Sequence, residues 1–315
     1  MLNYKLQTAS RRSNYKFLFI CLFAYLLICL FPPSATAQTY SLGIWPPLLE
    51  VMIKPGKSVT QVYQITNSGE DQSINVRILP FEPSDEKGNI ALLPAPQLLR
   101  PLSLTIDGAD LYTQKSYYLK SGETKNLLLK ITAPPRCPEK DFYASLVLET
   151  TLEPPAGLSL SQTVAKIAGN ILITVSSSGS PDKKARIVEF SAPKIVDSFD
   201  PVVFTLKVEN LGTAYFKPFG KVNLEGILGQ KGQVQIQPDN LLPQYVRELT
   251  VPPWKNKFIL GPFKAELSFT LDEEGEKVSE KVTFLALPYK LMLSLITIGL
   301  ILFTFSNLPK KGSFR

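Results

Sequence analysis

From residue 39 to 287 this chain alternates apolar and polar side chains with a period of two, and that pattern limits its fold more than any other feature. Ile74, Val76 and Ile78 alternate with Ser73, Asn75 and Arg77, and Phe263, Ala265, Leu267, Phe269 and Leu271 with Lys264, Glu266, Ser268 and Thr270. Val202, Phe204, Leu206 and Val208 form a third such row. Side chains two apart share one face of a strand, so each row points into a core while its neighbours point to water. The breaks carry turn chemistry: Pro55-Gly56, Asn67-Ser68-Gly69, Lys87-Gly88-Asn89, Ser121-Gly122, Asn210-Leu211-Gly212 and Glu274-Gly275. No amphipathic helix interrupts them. Strands spaced about ten residues apart with such turns predict an all-β chain built as antiparallel sandwiches.

The 315 residues are enough for two or three domains with real cores. The small polar run Ser176-Ser177-Ser178-Gly179-Ser180-Pro181 marks a boundary. It divides the body into a first sandwich at 39–176, a linker at 177–183 and a second sandwich at 184–287. Pro83, Pro94, Pro96 and Pro101 predict irregular chain over 83–101. Both parts open alike: the run from Val59 to Asn67-Ser68-Gly69 is echoed by that from Val202 to Asn210-Leu211-Gly212, which implies two related modules.

The two ends differ from the body. A basic segment through Lys16 leads into the apolar run 17–31, then Pro32-Pro33 and Ala35-Thr36-Ala37. This is the layout of a secretory signal peptide over 1–37, with cleavage expected between Ala37 and Gln38. Residues 289–308 predict a transmembrane helix. Its uninterrupted run, 291–305, is short for a hydrocarbon core that takes about 20 residues, so Tyr289 serves as an interfacial anchor and Leu308 extends the apolar stretch. Lys310 and Lys311 supply the positive flank on the other side, in a basic cytoplasmic tail at 309–315. The expectation is a type I single-pass protein of the cell membrane with its body outside.

Charge agrees with that division. Lys and Arg outnumber Asp and Glu by 34 to 27, but eight of the bases lie in 1–37 and 288–315, which hold no acid. The body therefore has 26 bases against 27 acids, no electrostatic footprint for nucleic acid. The absence of histidine removes the commonest general base and the commonest metal ligand together. No enzymatic activity and no cofactor are expected. Cys21 and Cys29 fall in the signal segment, leaving Cys137 between Pro135 and Pro138 as a loop thiol or an intermolecular bridge. There is no Asn-X-Ser/Thr sequon, in keeping with a bacterial surface.

Trp45-Pro46-Pro47 is the sharpest local feature. It is either an aromatic platform for a glycan or partner chain, or a core tryptophan that introduces the first strand with prolines guarding an edge. Trp254, beside Pro252 and Pro253, has the same two readings. Tyr112 and Tyr118 share a parity that Tyr117 does not, which points Tyr117 to solvent. Asp272, Glu273, Glu274 and Glu276 lack the spacing of a calcium loop and read as a solvated hairpin turn.

The first part carries Pro47-Leu48-Leu49-Glu50-Val51, Lys54-Pro55-Gly56, the Asn67 turn, Ser121-Gly122-Glu123-Thr124 and the run from Asp141 to Leu146. With these it resembles the immunoglobulin-like sandwich of periplasmic chaperones. The second carries Pro218-Phe219-Gly220, Asn240-Leu241-Leu242-Pro243, Val246-Arg247 and the run from Gly261 to Ala265, and it resembles the membrane-proximal domain of WxL-interacting bacterial surface proteins. That resemblance implies two immunoglobulin-like β-sandwiches before one membrane helix, in a binding or scaffold protein. Its first domain would engage cell wall and its second a surface or host protein. An accessory subunit of an envelope secretion or export complex is the alternative. The partner-binding expectation rests on Trp45, Pro46 and Pro47.

Overall fold

The computed structural model describes residues 41–110, 114–151, 165–271 and 277–307. The signal segment with Ala37 and Gln38, Tyr112, the acids of 272–276, Lys310 and Lys311 lie outside the described residues. The described chain is all-β, two immunoglobulin-like sandwiches followed by one helix.

The first sandwich holds β1 (Leu42–Trp45), β2 (Leu48–Ile53), β3 (Ser58–Asn67), β4 (Gln72–Pro83), β5 (Ile90–Leu92), β6 (Ser103–Ile106), β7 (Ala109–Asp110), β8 (Lys115–Leu119), β9 (Thr124–Thr132), β10 (Asp141–Thr151) and β11 (Lys166–Val175). One sheet runs β1-β3-β9-β6-β7 and the other β2-β11-β10-β4-β5, with β8 also paired to β4. The second sandwich holds β12 (Ala185–Ser191), β13 (Ile195–Asp197), β14 (Thr205–Asn210), β15 (Phe219–Gly226), β16 (Lys231–Gln235), β17 (Val246–Glu248), β18 (Gly261–Thr270) and β19 (Lys277–Leu287). Its sheets run β12-β14-β17 and β13-β19-β18-β15-β16. Helix α1 (Tyr289–Ser306) closes the described chain.

The alternating rows are the cores. Ile74, Val76 and Ile78 are buried in the first sandwich with Tyr63, Leu129 and Leu146. Val202, Phe204, Leu206 and Val208 are buried in the second, facing Phe263, Leu267 and Phe284. An aromatic column runs through this second core: Trp254 packs on Phe263 at 5.7 Å between centroids, and Phe263 stacks on Phe284 at 5.3 Å. Trp254 is 8% exposed, so of its two readings the core position holds.

The repeated Asn-X-Gly is a repeated structural lock. Asn67 ends β3 and is fully buried; its Oδ1 accepts the Gly69 N–H and the Gln72 amide, and its Nδ2 donates to the carbonyls of Glu70, Leu119 and Lys120. Asn210 ends β14 and is equally buried; its Oδ1 accepts the Gly212 N–H and its Nδ2 donates to the carbonyls of Ala214 and Leu241. A short amide side chain that bonds its own backbone two residues on turns the chain without stranding a buried polar group. Both modules also divide their first strand between sheets. β1 pairs β3 antiparallel and β2 then pairs β11 in parallel; β12 pairs β14 antiparallel and β13 then pairs β19 in parallel.

Two expectations need correction. Tyr117 is 8% exposed and Tyr118 60%, the reverse of the parity argument. β8 pairs with β4 so that Tyr117 lies opposite the buried Ile74, and its hydroxyl donates to Asp107. The stretch 83–101 is not wholly irregular: it forms β5 and a 3-10 turn at Pro96–Leu99 that buries Leu99.

The serine-rich connector is tied down rather than loose. Ser176 N–H donates to the Ile53 carbonyl, and Ser177 donates from both N–H and hydroxyl to Glu139. Cys137 is 6% exposed, and burial raises its thiol pKa against the pull of Lys140, so the side chain is packed away from any second chain.

Candidate partner-binding site

β1 cannot continue along its sheet because Pro46 and Pro47 have no N–H to give to a ladder. The chain crosses there to the opposite sheet and resumes as β2. The crossing passes close to β11: a side chain at Gly169 would meet Ile44 at 3.0 Å and the Pro46 carbonyl at 3.2 Å, so anything larger than glycine requires those neighbours to give way by a few tenths of an ångström. The Asn170 N–H donates to the Pro47 carbonyl and starts the parallel β2–β11 pairing. Trp45 is left 65% exposed, opposite Gln64 on β3 and on the face that carries the exposed Val62 and Leu128. Its core reading therefore fails and the platform geometry is available.

β2 alternates strictly. Leu49, Val51 and Ile53 enter the core, whereas Leu48, Glu50 and Met52 face outward. Among the described residues no strand pairs with its other edge. Outward from β2 lies the second sandwich, and Glu50 joins the two: one oxygen takes the Lys217 ammonium at 2.8 Å and the carboxylate also accepts the Asn240 amide at 2.8 Å. On one side of this bridge is a cavity of about 370 Å³, walled by Leu48, Phe81 and Leu172 from the first sandwich and Asn240, Leu242 and Arg247 from the second. On the other side is a hollow of about 300 Å³ between Met52 and Phe219.

The cleft is braced at both ends. The β4–β5 hairpin reaches across, with Glu86 accepting the Glu248 N–H and pairing with Lys207 at 2.7 Å. Asp85 shapes the hairpin by accepting the N–H groups of Lys87 and Asn89 and the Asn89 amide, and the Asn89 amide leads in holding its carboxyl below the usual range. At the other end Asp141 accepts the Thr174 and Tyr143 hydroxyls and, across the junction, the Tyr215 N–H. Burial raises its carboxyl above the ordinary range, with those donors and Lys183 pulling the other way. Burial likewise pushes the phenols of Tyr143 and Tyr215 up, so they stay protonated.

Asn240 and Arg247 line the cavity: Arg247 Nη1 donates to the Asn240 carbonyl, Nη2 pairs with Asp239 at 3.7 Å, and the guanidinium packs against the Gly88 backbone. The described residues contain no cluster of His, Cys, Asp and Glu able to hold a metal. Sequence reasoning singled out Trp45, Pro46 and Pro47, and the structure puts them at the entry to β2. It missed Leu48, Glu50 and Met52, for which the alternation of β2 gave a signal, and Lys217 and Arg247, for which nothing local did.

No protein-family model matches the chain, and no curated protein matches it. Among solved structures it is similar to bacterial fimbrial chaperones. A chaperone–tip adhesin complex of CFA/I fimbriae shares 14% identity, covering 79% of this chain and 99% of that one, with a TM-score of 0.40. The E. coli chaperone DraB shares 13%, covering 78% and 100%, with a TM-score of 0.38. A Salmonella enterica SafA pilin complex with the SafB chaperone shares 14%, covering 78% and 99%, with a TM-score of 0.37.

α1 is long and apolar enough to cross a membrane, and none of its residues is buried. Its Ser294, Thr297 and Thr304 hydroxyls donate back to the carbonyls of Leu291, Leu293 and Ile301, which removes their need for water.

Proposed function

We propose that this chain is a non-catalytic binding protein of the cell envelope. α1 anchors it as a single type I span, and its two sandwiches outside the membrane hold an extended segment of a partner protein along β2. The observation that carries the reading is β2 itself: an unpaired edge whose exposed Leu48 and Met52 open onto two hollows on either side of the Glu50–Lys217 bridge. A strand added to such an edge gains backbone hydrogen bonds, and alternate side chains find pockets that select the sequence. The exposed indole of Trp45 adds an aromatic contact at the entry. The resemblance of its layout to that of WxL-interacting proteins supports a place at the bacterial surface.

Photo-cross-linking in intact cells tests this. A photoreactive residue in place of Leu48 or Met52 gives a discrete protein adduct, and the same residue in place of Lys120 gives none. Equal adducts at all three positions overturn the reading. So does salt-resistant pelleting with protein-free wall sacculi that the Trp45→Ala change abolishes, which assigns the site to a wall polymer instead.

A further inference from the structure

The chain leaves β19 at Leu287 and enters α1 at Tyr289, so Pro288 alone separates the sheet from the helix. That junction is fixed. Asp197, 1% exposed at the end of β13, accepts the Lys290 N–H with one oxygen and the Phe199 N–H with the other. The Lys290 ammonium pairs with Asp200 at 2.6 Å, and the Ser198 N–H donates to the Leu287 carbonyl. An 18-residue helix is about 27 Å long, slightly less than a hydrocarbon core of about 30 Å. The end of the second sandwich therefore has no slack with which to stand off from the bilayer.

The strand register shows what else lies at that end. Asp197 pairs with Leu287, Gly261 with Ala286, Gly226 with Phe263 and Glu225 with Lys231. The loops after β13, before β18 and between β15 and β16 thus form a row beside the start of α1, about 19 Å wide at the usual strand spacing. Their tips are apolar and open: Ile227 is 77% exposed, Leu228 64%, Phe199 53% and Phe258 41%. They are coupled, since Phe199 packs on Phe258 at 5.3 Å, the Ile259 N–H donates to the Ser198 carbonyl and the Gln230 amide donates to the Phe258 carbonyl. Exposed lysines, Lys194, Lys255 and Lys257, flank them. Large apolar tips gathered at one end and ringed by cations mark an interaction surface.

We infer that this end of the second sandwich is seated in the lipid interface: Phe199, Phe258, Ile227 and Leu228 dip into the boundary between headgroups and acyl chains, and Lys194, Lys255 and Lys257 face anionic headgroups. The inference rests on α1 being a membrane span. It commits to the bilayer because the helix that must enter the bilayer begins one residue from this row of loops. Aromatic and aliphatic tips with flanking lysines are the residues that settle at this depth. The consequence is a fixed stance, with the second sandwich held upright on the membrane and the β2 cleft presented at a set height rather than on a swinging tether.

The test uses the full chain in phosphatidylcholine vesicles containing phosphatidylglycerol, with Cys21, Cys29 and Cys137 replaced by serine where present. A single environment-sensitive fluorophore is placed on cysteine substituted for Phe258, Ile301 or Lys120. Lipids carrying a quencher at the headgroup–acyl boundary diminish the emission at 258, which also shifts to the blue; a quencher deep in the acyl region diminishes that at 301; neither affects 120. Quenching at 301 with 258 behaving like 120 overturns the seating and leaves the span intact. No quenching at 301 removes the span, and the seating with it. A second label in place of Leu228 repeats the 258 result if the whole row is seated, and remains unquenched if it is not.

Discussion

In the first sandwich the crossing between sheets falls at Trp45-Pro46-Pro47 and leaves an indole in solvent; in the second it falls at Ala192-Pro193-Lys194 and delivers Asp197 to the first turn of α1. The two modules share topology, the Asn-X-Gly lock and a parallel second segment, so folding alone does not require either difference. What differs is what the crossing faces. Outside β2 is the cleft; outside β13 is the root of the helix, where Asp197 accepts the Lys290 and Phe199 N–H groups. The same device borders a cleft in one module and holds the root of the helix in the other.

The two tryptophans sharpen this contrast most. Trp254 sits in the aromatic column, and its indole fills space that a side chain at Gly232 would need, so truncation opens a cavity that neighbouring strands cannot close. Trp254→Ala lowers unfolding stability by about 3–5 kcal/mol. Trp45→Ala shifts it by no more than about 0.5 kcal/mol, because the indole is already in water. Denaturant titration of the two variants decides it, and a loss at position 45 comparable to that at 254 breaks the assignment of Trp45 to a binding surface.

The two asparagines come next. Asn67→Ala removes the acceptor of the Gln72 amide and the Gly69 N–H and the donor to the carbonyls of Glu70, Leu119 and Lys120, the last of which keeps the Glu123 N–H, at a cost of about 3 kcal/mol. Asn210→Ala frees fewer groups and costs about 2 kcal/mol. Each loss shows in the melting of its own module. Equal losses, or a larger one at 210, break the view that the first lock is the more heavily connected.

These features were not equally legible in the sequence. The alternating rows could be read because burial at period two leaves a local trace, and the paired Asn-X-Gly runs could be read because each asparagine accepts the N–H of the glycine two residues on. Tyr117 was misread because parity says which residues share a face and not which face is inward; the pairing of Tyr117 with Ile74 decides that. Beyond the alternation of β2, the cleft had no local trace. Glu50, Lys217 and Asn240 meet from three distant segments, and the open tips Ile227, Phe199 and Phe258 belong to three separate loops. Contacts between modules and at a sheet end are set by topology, so no window of sequence displays them.

The subtlest prediction concerns Asp141, where the two modules meet. Its carboxyl is buried against Tyr143, Thr174 and Tyr215, with Lys183 near enough to pull the other way, and burial outweighs these in raising its pKa. An acid whose folded value lies above its unfolded one favours folding when protonated. That contribution is fully present below the unfolded value of about 3.9 and is lost as pH rises through the folded value. Asp141→Asn keeps the shape and removes the titration. Its amide nitrogen can donate to the Thr174 hydroxyl, turned round to accept, while its oxygen still accepts from Tyr143 and Tyr215. Wild type therefore loses stability relative to the Asn variant as pH rises from about 4, and the difference levels off once Asp141 is ionised. Denaturant midpoints for both chains across that range check it. Curves that stay parallel show that the junction does not feel this carboxyl's charge, and that the cleft is held closed by Glu50, Lys217 and the β4–β5 hairpin alone.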